Sequence, residues 1–353
     1  MRALVLLLLI AAAALGGWLY YRGSFDSYRQ KTGETFIRVG DYRAAHLPSA
    51  NYAGHYLPYA LFALRAYDPP KLDPSPKVNA LRERPAPDDP SRSRITAELL
   101  DGWSGDWTLI ESLDDIGPLP CPEGEGQCGK PLGGLGYKVF SSPARNEIVV
   151  AFRGTDSQEA DDWITNLRWV TRFLPLYDQY TQVQRHIGSI LDRALAVHGK
   201  AAPRIVATGH SLGGGLAQQA AYKDGRIRAV YAFDPSTVTG YYDPGVEGEK
   251  NSKDLKIDRV YQRGEVLAYL RFLMTQLYPV QAFNPQIRTV RFSFGAEGGA
   301  IGKHSMADLA AGLLETAGPP DAWAARAREL PNAPGPPPNK HWIYRLLDWI
   351  NRK

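Results

Sequence analysis

The middle of the chain alternates short apolar runs with longer stretches in which apolar residues return at helical spacing. Tyr137-Lys138-Val139-Phe140 and Ile148-Val149-Val150-Ala151-Phe152 flank turn-forming residues from Pro143 to Asn146, a pattern that predicts a β-hairpin. Arg204-Ile205-Val206-Ala207-Thr208 reads as a short buried strand, and further strands are expected at 229–233, 257–262 and 287–294. Between them lie helical patterns. One is a long amphipathic stretch from about Leu176 to Val197, one opens at Gly214, and one opens with His304-Ser305-Met306-Ala307-Asp308-Leu309. Strands alternating with helices predict an α/β fold with a mainly parallel central sheet and helices on both faces.

The two ends differ from this middle. Arg2 is followed by a nearly unbroken apolar run from Ala3 to Tyr21. It fits a cleaved signal peptide, with a Leu-rich centre and small residues near Ala11–Ala14 and Gly16-Gly17. A retained anchor ending in the interfacial aromatics Trp18, Tyr20 and Tyr21 fits equally. Either reading of residues 1–22 implies export, to the periplasm, the exterior or the membrane surface. Residues 23–330 read as one domain, in which 23–57 wraps the body and the Pro-rich, charged stretch 68–93 is a surface loop. Residues 331–353 comprise a Pro-rich spacer and an aromatic amphipathic segment, Trp342 to Ile350, suited to docking on the domain or on a membrane surface.

Composition changes this picture little. At 353 residues and 44% apolar content the chain can bury a substantial core, and its net charge of +4 is only mildly basic. No dense basic run with interleaved aromatics is present, so nucleic-acid binding is not expected. The two cysteines, Cys121 and Cys128, bracket a Gly/Pro-rich loop. In an exported protein this predicts a small disulfide, whereas a zinc site would need further ligands that no neighbouring histidine offers.

The strongest chemical signal is Gly209-His210-Ser211-Leu212-Gly213, placed between a predicted strand and a predicted helix. A sharp strand–turn–helix junction with flanking glycines is the setting that lifts a nucleophilic serine clear of a sheet. Upstream, the strand 147–152 runs into Arg153-Gly154-Thr155-Asp156, where it must end. A hydrolase that passes through a tetrahedral oxyanion needs two donors, one after the nucleophile and one from an earlier strand end. Leu212 and Thr155 take those two places.

Phe152-Arg153-Gly154-Thr155, then Asp162-Trp163-Ile164-Thr165-Asn166-Leu167, then Gly209-His210-Ser211-Leu212-Gly213-Gly214 resemble the class 3 lipase family of α/β-hydrolases. The resemblance runs from about Tyr52 to Leu314, including an early helix through Tyr59–Tyr67. It implies a Ser-acid-His triad in that chain order, no metal or cofactor, and a fatty-acid or phospholipid ester as the substrate. The expected acid is Glu265, just past the strand break at Arg263-Gly264, in the place where the family usually carries Asp. Asp234 and Asp258 are rival acids, the first after the preceding strand and the second before the strand end. The expected base is His304. His210 is read as a packing residue, His186 and His198 as members of a solvated helix face, and His46, His55 and His341 as lying outside the order a base requires. Residues 168–180 fit either a lid or an ordinary helix flank. A thioesterase or peptidase on the same fold, and a non-catalytic envelope binding module, remain the competing functions.

Overall fold

The computed structural model describes residues 30–39, 46–67, 106–113, 119–122, 130–132, 134–154, 176–240, 245–268, 285–294, 300 and 302–318. Strands follow in chain order as β1 (Glu34–Val39), β2 (His46–Pro48), β3 (Thr108–Leu113), β4 (Lys130–Leu132), β5 (Tyr137–Ser142), β6 (Glu147–Phe152), β7 (Leu176–Asp178), β8 (Arg204–His210), β9 (Ile227–Phe233), β10 (Lys256–Gln262) and β11 (Gln286–Phe292). Helices are α1 (Ala53–Arg65), α2 (Gln179–His198), α3 (Leu212–Lys223), α4 (Gly245–Asn251) and α5 (Met306–Ala317).

Nine strands form one sheet in the order β2-β1-β11-β10-β9-β8-β6-β5-β3. The sequence predicts a mainly parallel sheet, and the structure is parallel in its centre, from β11 through β10, β9 and β8 to β6. Both flanks are antiparallel: β5 and β3 continue from the hairpin on one side, and β1 and β2 close the other. The hairpin expected around Pro143–Asn146 is present, with Val139 opposite Val150.

The central strands are apolar on both faces because both faces are covered. Side chains alternate along a strand, so Ile148, Val150 and Phe152 join one core with Val183 and Ile187 of α2 and Leu216 and Ala220 of α3. Val149 and Ala151 join the opposite core with Tyr56 and Phe62 of α1 and Leu309 and Leu313 of α5. Nucleophile-bearing turns belong at the carboxyl edge of such a sheet, and β8, β9 and β10 all end there, at His210, Phe233 and Gln262.

Several expectations change in detail. The stretch before residue 57 does not merely wrap the body, since β1 pairs with β11, Ile37 lying opposite Val290. The early helix begins at Ala53 and ends at Arg65 rather than running from Tyr59 to Tyr67. Helix α2 begins at Gln179, not Leu176, because Leu176–Asp178 pairs with Lys130–Leu132 in a small parallel sheet. Asp178 then caps the helix by accepting the Thr181 N–H at 2.9 Å. His198 is buried rather than solvated, with Nδ1 2.8 Å from Ser141 Oγ and Nε2 3.1 Å from Asn146 Oδ1. His186 sits 2.9 Å from the Tyr177 hydroxyl.

A buried ion pair fastens α1 to the sheet. Arg288 Nε and Nη2 donate to the two oxygens of Asp258 at 2.5 and 2.8 Å, and the Tyr56 hydroxyl donates to Asp258 Oδ2 at 3.1 Å. Removing one partner of such a pair typically destabilises by ~3–5 kcal/mol. Among the described residues no helix is long and apolar enough to cross a membrane. The expectations for residues 1–22, for the surface loop 68–93 and for the segment 331–353 fall outside the described residues, as does most of 168–180.

Candidate active site

The elbow forms where β8 gives way to α3. Ser211 has φ 55° and ψ −121°, a left-handed backbone that a non-glycine residue adopts only when its surroundings hold it there. Its N–H donates to Phe233 O at 3.0 Å, and its carbonyl accepts from Ser236 N–H at 2.9 Å and Gly214 N–H at 3.1 Å. Glycine is required on either side for space. A Cβ on Gly209 would run into the backbone of Gly213, and one on Gly213 would run into the carbonyl oxygen of Phe152. Leu212 opens α3, so its N–H is one of the first-turn donors that have no acceptor within the helix.

Two strand ends deliver the partners of Ser211. The loop after β10 carries Glu265, and the 3-10 turn Gly302–His304 carries His304 against the N-terminus of α5. Ser305 caps α5 by accepting the Asp308 N–H at 3.3 Å, which fixes where His304 stands. His304 Nε2 lies 3.1 Å from Ser211 Oγ, and His304 Nδ1 lies 3.1 Å from Glu265 Oε2. A carboxylate only accepts, so Nδ1 carries the proton and Nε2 is left to accept the Ser211 hydroxyl. Glu265 is 0% exposed and His304 8%, so their interaction is little screened by solvent. Leu267 N–H also donates to Glu265 Oε2, at 2.8 Å.

The residue before the nucleophile has a larger role than packing. His210 Nε2 lies 2.9 Å from the backbone carbonyl of His304, and its Nδ1 lies 2.9 Å from the Tyr67 hydroxyl. Since the carbonyl accepts, Nε2 is protonated and Nδ1 accepts from Tyr67. Tyr67, just beyond α1, also presses on the end of β6. A Cβ on Gly154 would come within 2.5 Å of its hydroxyl. One tyrosine and one histidine therefore tie together the strand end before Thr155, the elbow and the turn that holds the base.

Asp234 follows β9 with φ 39° and is fully buried, and its Oδ1 accepts the Gln262 N–H at 3.3 Å. One carboxylate oxygen of Asp234 and one ring nitrogen from each of His210 and His304 lie within 4.8 Å of one another. Both nitrogens of each histidine already have hydrogen-bond partners, so this trio is read as part of the triad's surroundings rather than as a cation site. Asp258, the other rival acid, lies inside β10 and is committed to Arg288. Of the predicted site residues, the structure brings Ser211, Leu212, Glu265 and His304 together. Thr155 lies outside the described residues. Sequence reasoning missed Tyr67, whose only signal was its place at the end of an apolar helix.

A serine on a strained strand–helix turn, bonded to a histidine that is bonded to a buried carboxylate, on a parallel-centred sheet covered on both faces, defines a serine hydrolase of the α/β-hydrolase fold. Residues 129–278 match the phospholipase-like family described as the Tle-like phospholipase domain. The matched part holds Ser211, Asp234 and Glu265 and stops before His304. Among solved structures, lipase II from Rhizopus niveus shares 16% identity at a TM-score of 0.38, over 62% of this chain and 74% of that one. The Lip2 lipase of Yarrowia lipolytica shares 20% identity at a TM-score of 0.35, over 62% and 73%. The triacylglyceride lipase of Rhizomucor miehei shares 14% at a TM-score of 0.40, over 66% and 77%. No curated protein matches the chain.

Proposed function

We propose that this protein is a serine carboxylic-ester hydrolase that cleaves the acyl ester bonds of lipids, with phospholipids as its substrate class. The single observation that carries the chemistry is the relay from Ser211 Oγ to His304 Nε2 and from His304 Nδ1 to Glu265, both at 3.1 Å. The match of residues 129–278 to a phospholipase domain supports phospholipid over other acyl esters.

In this reading the Ser211 hydroxyl attacks the acyl carbonyl while its proton passes to His304 Nε2. Glu265 holds the imidazole in the Nδ1–H tautomer and stabilises the positive charge that forms. The carbonyl oxygen, now an oxyanion, takes N–H donation from Leu212 at the start of α3 and, as the sequence order suggests, from Thr155, three residues beyond Phe152 in the chain. His304 returns its proton to the departing alcohol, and an acyl ester remains on Ser211. Water, deprotonated by the same histidine, then releases the fatty acid and restores the serine. No metal or cofactor takes part in these steps.

Three further parts of the proposal rest on sequence alone. Residues 1–22 direct export, as a cleaved leader or a retained anchor. The aromatic segment Trp342–Ile350 gives contact with a membrane surface. Cys121 pairs with Cys128 in the oxidising setting that export provides.

Product analysis tests the substrate class. Purified protein on phosphatidylcholine vesicles is expected to release fatty acid and lysophospholipid. Cleavage confined to acyl thioesters or to peptide bonds, with phospholipids and triglycerides both untouched, would replace the lipid reading with one of its competitors.

A further inference from the structure

Two carboxylates, not one, converge on His304. Glu265 makes the direct hydrogen bond to Nδ1 at 3.1 Å. Asp234 comes from a different strand end, and one of its oxygens lies within 4.8 Å of a ring nitrogen of His304 and of one of His210. Both carboxylates are 0% exposed. Burying a carboxylate is expensive, and here two are buried at one imidazole.

Turn geometry explains the backbone of Asp234 but not its charge. Its φ of 39° is left-handed, a conformation that Asn adopts as readily as Asp. Its N–H donates to Val260 O at 2.8 Å, and its Oδ1 accepts from Gln262 N–H at 3.3 Å. An asparagine would satisfy the same two contacts with no net charge. What only the aspartate adds is a second negative charge within 4.8 Å of the base, in a region where solvent screens little.

We propose that Asp234 is an electrostatic positioning residue for His304, sharing with Glu265 the stabilisation of the imidazolium that forms as Ser211 loses its proton. The proposal rests on the hydrolase reading above. In the reaction step, the proton moves from Ser211 Oγ to His304 Nε2 and neither carboxylate takes it up. Glu265 supplies the hydrogen bond, and Asp234 supplies charge from within 4.8 Å. The other groups about this imidazole are the Ser211 hydroxyl and His210, which bonds the His304 carbonyl. Two cations belong to the same loops: Lys303, next to His304 in the chain and with its Nζ near Gly264, and Arg263, which donates to Gln30 O.

Kinetics of the full chain on a soluble p-nitrophenyl acyl ester test this, with the parent, Asp234→Asn, Glu265→Gln and the double variant measured across pH. Asp234→Asn is expected to lower kcat about tenfold with KM within about twofold. The acid limb of its kcat/KM profile should move down by about one pH unit, because loss of a nearby anion lowers the pKa of the base. The double variant should fall at least about tenfold below Glu265→Gln alone. An Asp234→Asn enzyme within twofold of the parent and with an unmoved acid limb overturns the proposal. Should that variant fail to fold, Glu265→Gln decides the matter with Asp234 intact. Its residual activity should keep an acid limb at or above about pH 6.5, the ordinary histidine value, and a limb well below that overturns the proposal too. A parent protein with no ester turnover at all would instead overturn the hydrolase reading, and the proposal with it.

Discussion

Glu265 Oε2 accepts two hydrogen bonds at once, from His304 Nδ1 at 3.1 Å and from the Leu267 N–H at 2.8 Å. The second bond anchors the carboxylate to its own loop, so the acid is held in place whether or not the imidazole is charged. Glutamate reaches one methylene further than aspartate, and here it follows a tight turn at Arg263-Gly264, where Gly264 has φ 82°. Glu265→Gln keeps the shape and removes the charge. Activity on an acyl ester is expected to fall by at least ~10²-fold, less than for loss of the nucleophile. Near-parental turnover in this variant would remove Glu265 from the triad.

Tyr67 and His210 act on the base through its backbone, and the consequence is kinetic. Tyr67→Phe removes one hydrogen bond to His210 Nδ1. A single bond of this kind is worth ~0.5–1.5 kcal/mol, so kcat should fall by ~3–10-fold while KM stays put. His210→Ala takes away the donor to the His304 carbonyl as well, and the loss should be larger, ~10²-fold. A rise in KM with kcat unchanged would mean that these side chains shape substrate binding instead.

Much of this site could be read from the sequence, and what could not was of one kind. Ser211 was visible because Gly209 and Gly213 answer a local steric demand, and Glu265 because a strand visibly breaks at Arg263-Gly264. Asp234 was visible as a rival acid at a predicted strand end, but not as a second carboxylate standing beside Glu265 at His304, since that convergence comes from the parallel pairing of β9, β10 and β11. His210 was misjudged for the same reason, because the carbonyl it bonds belongs to a residue far along the chain. The parallel core was legible from the alternation of strands and helices, whereas β1 was not, since its partner β11 lies at the other end of the domain. His198 lay hidden because amphipathic spacing cannot say that Ser141 and Asn146 would close over a helix end.

A disulfide between Cys121 and Cys128 is checked by mass. Intact-mass measurement of protein produced in an oxidising compartment, treated with a thiol alkylator and no reductant, should show no added alkyl groups. Two added groups would mean that both thiols are free in solution.

His55 gives stability a pH dependence of known sign. Burial holds its pKa down at about 4, with Arg288 and Arg204 adding to the effect and Asp258 opposing it. In the unfolded chain it returns to the ordinary histidine value, about 6.5. Between those two values the unfolded state binds more protons, so stability falls as pH drops through that window and this contribution levels off below it. His55→Gln removes this contribution. The difference in Tm between pH 7 and pH 5 should narrow by ~2–4 °C, and an unchanged or wider difference would show that His55 titrates normally in the folded protein.

The central claim is that Ser211 is an activated nucleophile, and covalent labelling reads it directly. Protein incubated with a fluorophosphonate at neutral pH should gain the mass of one phosphonyl group, mapped by peptide sequencing to Ser211. The Ser211→Ala variant should gain none, and its ester hydrolysis should fall ~10³-fold or more while its melting curve stays close to that of the parent. An unlabelled parent, or a Ser211→Ala variant that keeps its turnover within tenfold, would contradict the assignment of this elbow as the seat of catalysis.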